Sequence, residues 1–153
     1  MATAAQAFKA LQTRVESGGL PIPLRWQNKD DDSDGLVPLP DIPAPFIYGD
    51  FVSDTVEIVS FGGGRFRNTY RNQCVLYLWV FVPRGWGIDP ALDYAEQAAA
   101  LLRSYRTSEV SCFAARVVPG GDGAAIQPPG LRSEVNAYYY AYAEVEFMFD
   151  QIG

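Results

Sequence analysis

Residues 137–149, AYYYAYAEVEFMF, alternate without a break between two sets of side chains, and this period of two constrains the fold more than any other stretch of the chain. Ala137, Tyr139, Ala141, Ala143, Val145, Phe147 and Phe149 carry no charge, so this set faces a core. Tyr138, Tyr140, Tyr142, Glu144, Glu146 and Met148 point the other way and form a half-exposed face. Residues 74–82, CVLYLWVFV, make a second strand. It sets Cys74, Leu76, Leu78, Val80 and Val82 on one face and Val75, Tyr77, Trp79 and Phe81 on the other, both apolar, which predicts a strand covered on both sides.

Around these two strands the other elements fall into place. Residues 3–16 lack Gly and Pro and put Ala4, Phe8, Leu11 and Val15 at helical spacing, with Gly18 and Gly19 as the stop. A short strand is expected at 23–27, followed by an acidic loop in which Pro38, Pro40, Pro43 and Pro45 favour an extended, solvated arm. Strands are expected at 46–51 and 55–61, and the tip GGGRFRNTYRNQ then leads into 74–82 as a long β-hairpin. Asp89 reads as an N-cap and Pro90 as the first residue of a helix over 90–106, with Leu92, Ala95, Ala99, Leu102 and Tyr105 as its apolar stripe. A strand over 109–118 and the loose loop PGGDGAAIQPPG complete the order. The fold class is α+β: a single mixed or antiparallel β-sheet packed by two helices on one face, with a long β-hairpin and a Pro-rich arm. No repeat or linker divides the chain, so residues 1–153 read as one domain.

Residue counts then narrow the chemistry. The chain has no histidine, which removes the commonest general base near neutral pH, the commonest metal ligand and every Ser-His or Cys-His nucleophile. Cys74 and Cys112 are far apart and belong to no C-x-x-C pair, so they read as buried free thiols. The N-terminus shows no basic segment followed by an apolar core, and the longest apolar run is too short to cross a membrane as a helix. These features lead to the expectation of a soluble protein made in the cytoplasm, without a secretory leader.

Charge is segregated along the chain. From residue 28 to residue 54 one lysine stands against seven aspartates, a balance of −6, equal to the net charge of the whole chain. Between Glu57 and Asp89 no carboxylate occurs, while Arg65, Arg67, Arg71 and Arg84 do. Only Lys9 and Lys29 among the cations are lysine. Arginine suits fixed contacts between proteins, and genomic base composition yields the same bias. The row Tyr138, Tyr140, Tyr142 offers area, rigidity and hydroxyl groups to an interface, or it packs across strands against Trp79 and Tyr77 within the chain.

Three motifs with catalytic or binding overtones read more simply as surface. GGGRFRN lacks the G-K-[ST] ending of a phosphate loop and leads into a strand, not a helix N-terminus. The run Asp30, Asp31, Asp32, Ser33, Asp34, Gly35 has the density of a calcium loop, but Asp41 stands where the bidentate Glu belongs and two prolines disturb the geometry. Glu144 and Glu146 lie on an open sheet face with no sign of a cleft. No cofactor, metal or catalytic residue is expected, and the chain does not read as an enzyme.

The order of N-terminal helix, Pro-rich arm, EIVSFGGGRFRN, LYLWVFVPRGWGIDPALDYAEQAAALLRSY and closing Tyr-rich strand resembles the tail terminator (minor tail) proteins of long-tailed bacteriophages and gene transfer agents. The resemblance implies a virion tail subunit, assembled in the host cytoplasm, that forms a hexameric ring on the head-proximal end of the tail tube. Such a ring stops tube polymerisation and offers a surface for head-tail joining. It implies three partners: further copies of the chain, the major tail (tube) protein, and a head-completion or stopper protein. No membrane is involved, and DNA only passes through the ring lumen. On this reading Arg65, Arg67 and Arg71 meet a neighbouring subunit or the tube, and Tyr138, Tyr140 and Tyr142 line a subunit interface. Two alternatives stay open: another head-tail connector or neck protein, and a small ligand-binding domain with a cavity lined by Trp79, Tyr77 and Tyr139.

Overall fold

The computed structural model describes residues 2–27, 29, 37–60, 67–122, 131 and 137–153. Helix α1 (Ala4–Glu16) and strand β1 (Leu24–Trp26) are followed by β2 (Phe46–Ile58), β3 (Thr69–Pro83), helix α2 (Asp89–Leu102), β4 (Ser111–Asp122) and β5 (Tyr138–Ile152). The strands form one sheet in the order β1-β2-β3-β5-β4. β1 joins β2 in parallel and every other pairing is antiparallel, so the sheet is mixed and the fold is α+β.

The strand alternation read from the sequence sets the two faces. Cys74, Leu76, Leu78, Val80 and Val82 of β3 lie beside Ala141, Ala143, Val145, Phe147 and Phe149 of β5 in the main core. Both helices close over this face, α1 through Ala7, Leu11 and Val15, and α2 through Ala91, Ala95, Ala98, Ala99 and Leu102. Four alanines in one stripe let the α2 backbone approach the sheet closely. α1 begins with a reciprocal capping box in which the Thr3 hydroxyl accepts from the Gln6 amide and the Gln6 side chain accepts from the Thr3 amide.

Several boundaries differ from the sequence reading for identifiable reasons. The two strands expected at 46–51 and 55–61 are one strand, β2, whose register slips by a residue at Asp54; a bulge there absorbs the break in pattern. Asp89 is the first residue of α2 and not its cap, since Ile88 holds the cap position and makes no side-chain hydrogen bond. The helix stops at Leu102, short of Tyr105, because Ser104 turns into the left-handed region at φ 59°.

The Pro-rich arm is the largest departure. Its described part does not run free in solvent: Val37 is fully buried, Leu39 packs beside it, and Val37 bridges to Leu131. With Phe46, Tyr48, Trp79, Phe81 and Tyr138 they form a second, smaller core on the sheet face opposite the helices. Prolines cannot continue a ladder, but an extended chain can still lay its apolar side chains on a sheet.

Candidate assembly surface

β3 carries Arg71 on the face away from the helices, and the register places it between Glu57 of β2 and Asp150 of β5. Its guanidinium donates two hydrogen bonds to the Asp150 carboxylate, both at 2.9 Å. This planar fork fixes both partners. The hydrogen bond from Arg71 holds the Asp150 carboxyl below the usual carboxylate range, and Asp150 in turn raises the Arg71 value. Of the three hairpin arginines expected to reach outward, Arg71 is thus engaged inside the chain. Arg67 is exposed two residues before β3, and Arg65 lies outside the described residues, as does the Gly-rich tip. The acidic run from Asp30 to Asp34 lies outside them too, while Lys29 pairs with Glu16 at 2.7 Å.

Tyr138, Tyr140 and Tyr142 of β5 pack across strands. Tyr138 is 1% exposed within the second core, its hydroxyl accepts from the Ala44 amide at 3.4 Å, and burial raises its pKa. Phe46 meets it edge-on at 5.4 Å and stacks on Phe81 at 5.0 Å. Tyr140 and Tyr142 are half-buried. Trp79 lies 6.0 Å from the Tyr140 ring and 4.8 Å from that of Tyr142, and Tyr77 stands 5.9 Å from Tyr142. Tyr138 therefore serves the chain's own core, and only Tyr140 and Tyr142 keep part of their rings at the surface. Tyr139 packs toward the helices, on the opposite side of the sheet from Tyr77 and Trp79. Those three residues therefore do not share one face of the sheet.

Beyond the aromatic rings the same face turns polar. One row crosses the sheet from Asp50 through Tyr77 and Glu144 to Arg116. Asp50 is 7% exposed, and loss of hydration raises its pKa against the opposing effect of a hydrogen bond with the Phe51 backbone. Arg116 donates to Glu144 at 2.6 Å, so Glu144 is bound in an ion pair. A shallow groove of about 370 Å³ follows, with Asp54, Glu57, Arg71, Val75, Phe113 and Met148 among its lining residues.

Most of the exposed large apolar residues lie toward the two ends of the strands, while Val52, midway along β2, and Phe113 of β4 are also exposed. At the end where β3 finishes, Trp86 and Ile88 are each about half exposed and Ile42 of the arm is 80% exposed. Trp86 sits between Gly85 and Gly87, whose φ values of 92° and 87° suit glycine, and this tight turn leaves the indole outside. At the hairpin end Val56, Ile58, Val59 and Ile152 are exposed. Reading the sequence missed Trp86 and Ile88, although the G-W-G-I spacing was a usable signal for a displayed aromatic side chain. It also missed Asp50 and Asp150, for which no local signal exists.

Among the described residues no group of three His, Cys, Asp or Glu side chains is placed to hold a metal ion, and no helix is long and apolar enough to cross a membrane. What the surface offers is contact: two apolar ends, a groove with both charge signs, and a half-covered aromatic face. No family model and no curated protein matches the chain. One solved structure is similar with a TM-score of 0.52 at 18% identity, over 96% of this chain and 92% of its own. The likeness spans nearly all of both chains and shows a shared fold.

Proposed function

We propose that the chain is a virion structural protein, not an enzyme, that forms a ring capping the head-proximal end of a phage tail tube. The observation that carries this reading is the placement of exposed apolar residues at opposite ends of one sheet, Ile42, Trp86 and Ile88 at one and Val56, Ile58, Val59 and Ile152 at the other. A subunit held between a tube and a head-side protein needs a contact surface in each direction. Strands of about 15 residues hold the two ends roughly 50 Å apart. The element order and the Tyr-rich closing strand support the same role through the resemblance noted above. In a closed ring each contact joins two different patches of the same subunit, and the segregated charge of the chain supplies such unlike patches. The ring belongs to the virion tail, after assembly in the host cytoplasm, and its partners are further copies, the tube protein and a head-completion protein.

Light scattering of the purified protein tests this, with a hexamer of 16.9 kDa subunits and ring-shaped particles in negative stain as the expected result. A second measurement adds the protein to polymerising tubes. Tubes that stop growing and then join heads support the cap, whereas binding to heads alone moves the protein to the neck. Tubes and heads both left untouched remove the proposal. Arg65→Glu with Arg67→Glu tests the hairpin separately: normal capping by that double variant excludes these arginines from the contact.

A further inference from the structure

The outermost strands of a sheet expose a row of backbone N–H and C=O groups, and folded chains usually cover or interrupt it. At β4 the row is covered from Cys112 to Ala115. The Tyr105 carbonyl accepts from the Cys112 amide at 2.8 Å, the Ser104 amide donates to the Phe113 carbonyl, and the Arg103 guanidinium donates twice to the Ala115 carbonyl at 2.9 and 3.2 Å. Further along, Pro119 has no amide proton to offer.

Among the described residues the row at β2 is open past β1. β1 pairs with Ile47, Tyr48 and Gly49 only, while β2 continues to Ile58. Two bonds fix the direction of its amides: Ile47 donates away from β3, to Pro23, and Val59 donates toward β3, to Thr69. Alternation along an antiparallel strand then turns the amides of Phe51 and Ser53, and past the bulge those of Val56 and Ile58, outward. Past Gly49 no strand among the described residues pairs with this edge.

The side chains beside that edge define what fits it. Val56 and Ile58 are 59% and 43% exposed on the helix side, and on the other side Asp54 and Glu57 line the groove next to the exposed Val52. An added strand would therefore carry apolar residues over one side and basic residues over the other. A second β2 would set carboxylates against carboxylates, which opposes a symmetric pairing. We infer that the β2 edge receives the segment of a second copy that carries Arg65 and Arg67. Their two-residue spacing places both guanidinium groups on one side of an added strand, and Phe66 between them falls on the apolar side. The contact is heterologous, with different surfaces on the two copies. It stands apart from the tail-cap proposal, since a ring could close through other surfaces.

Sedimentation velocity over a concentration series reads the association. Val56→Pro removes one outward amide and leaves the bonds to β3 in place, so the self-association constant is expected to weaken about tenfold or more. Asp54→Arg with Glu57→Arg abolishes association, Arg65→Glu with Arg67→Glu does the same, and mixing the two variants restores a mixed assembly. Circular dichroism melts establish that each variant is folded. Three results overturn the inference: wild-type protein that stays monomeric to roughly 1 mM, Val56→Pro protein that associates as the wild type does, or charge-exchanged partners that fail to recombine. A ring that persists in Val56→Pro excludes this edge and leaves the tail-cap proposal standing.

Discussion

Arg71 and Asp150 are 79 residues apart in sequence and directly opposite each other in the sheet, joined by two hydrogen bonds of 2.9 Å. The pair ties β3 to β5 near the tip of the β2–β3 hairpin.

The pH dependence of that tie has a definite sign. Because the folded-state pKa of Asp150 is lowered from 3.8, its contribution is complete above that value and is lost as pH falls through the lowered one. Asp150→Asn is therefore expected to melt below the wild type at neutral pH, with the gap closing on acidification. Thermal melts from pH 7 to pH 2 check this, and a gap that does not vary with pH would show that the ion pair is not its source.

Asp50 has the opposite sign. Burial raises its pKa above 3.8, so the folded state holds the proton more tightly and stability falls as pH rises through the window between the two values. Replacing it by asparagine is expected to raise the melting temperature at pH 7, and this advantage shrinks as the wild-type carboxyl becomes protonated. Equal melting temperatures at neutral pH would mean that hydration of the carboxylate is retained in the fold.

Gly49 packs directly against the six-membered ring of Trp26, and a Cβ there would run into it. Gly49→Ala should therefore cost about 1–3 kcal/mol by overpacking. Leu78→Ala, at a fully buried site in the main core, should cost about 2–5 kcal/mol through the cavity it leaves. Urea unfolding measures both. A Gly49→Ala protein as stable as the wild type would show that Trp26 has room to move aside.

Both thiols are buried, and burial pushes Cys112 up to about 12. A thiol reagent should therefore label neither cysteine in the native protein at pH 8 and should label both in denaturant. Fast native labelling at Cys112 would mean that α2 lifts from the sheet on the timescale of the reaction.

The faces of β3 and β5 were legible because a period of two in an apolar strand leaves one way to bury it. Cys74, Leu76, Leu78, Val80 and Val82 occupy the core as their spacing predicts, and both helices cover that face, although α1 buries Ala7 and leaves Ala4 of the expected stripe exposed and α2 ends before Tyr105. The burial of Val37 was not legible, since it depends on a sheet surface assembled from segments far away in the chain. The same holds for the candidate surface. Arg71 read as an outward charge because its partner, Asp150, becomes its neighbour only once β3 and β5 are paired. Tyr138 read as part of a half-exposed face, with packing inside the chain left as an alternative, because nothing local announces the arm that meets it. The bulge at Asp54 joined two expected strands into one, since a single extra residue breaks the alternation without ending the strand.

Arg103 has an effect that reaches beyond the carbonyl it holds. By occupying the Ala115 carbonyl on the outer side of β4, it removes an acceptor that a second sheet would need in order to pair there, while β2 past Gly49 keeps its outward groups among the described residues. Sheets of two copies therefore have unequal margins, which disfavours the edge-to-edge stacking of cross-β fibres. Association is left to unlike surfaces, and their geometry decides whether the assembly closes into a ring or runs on.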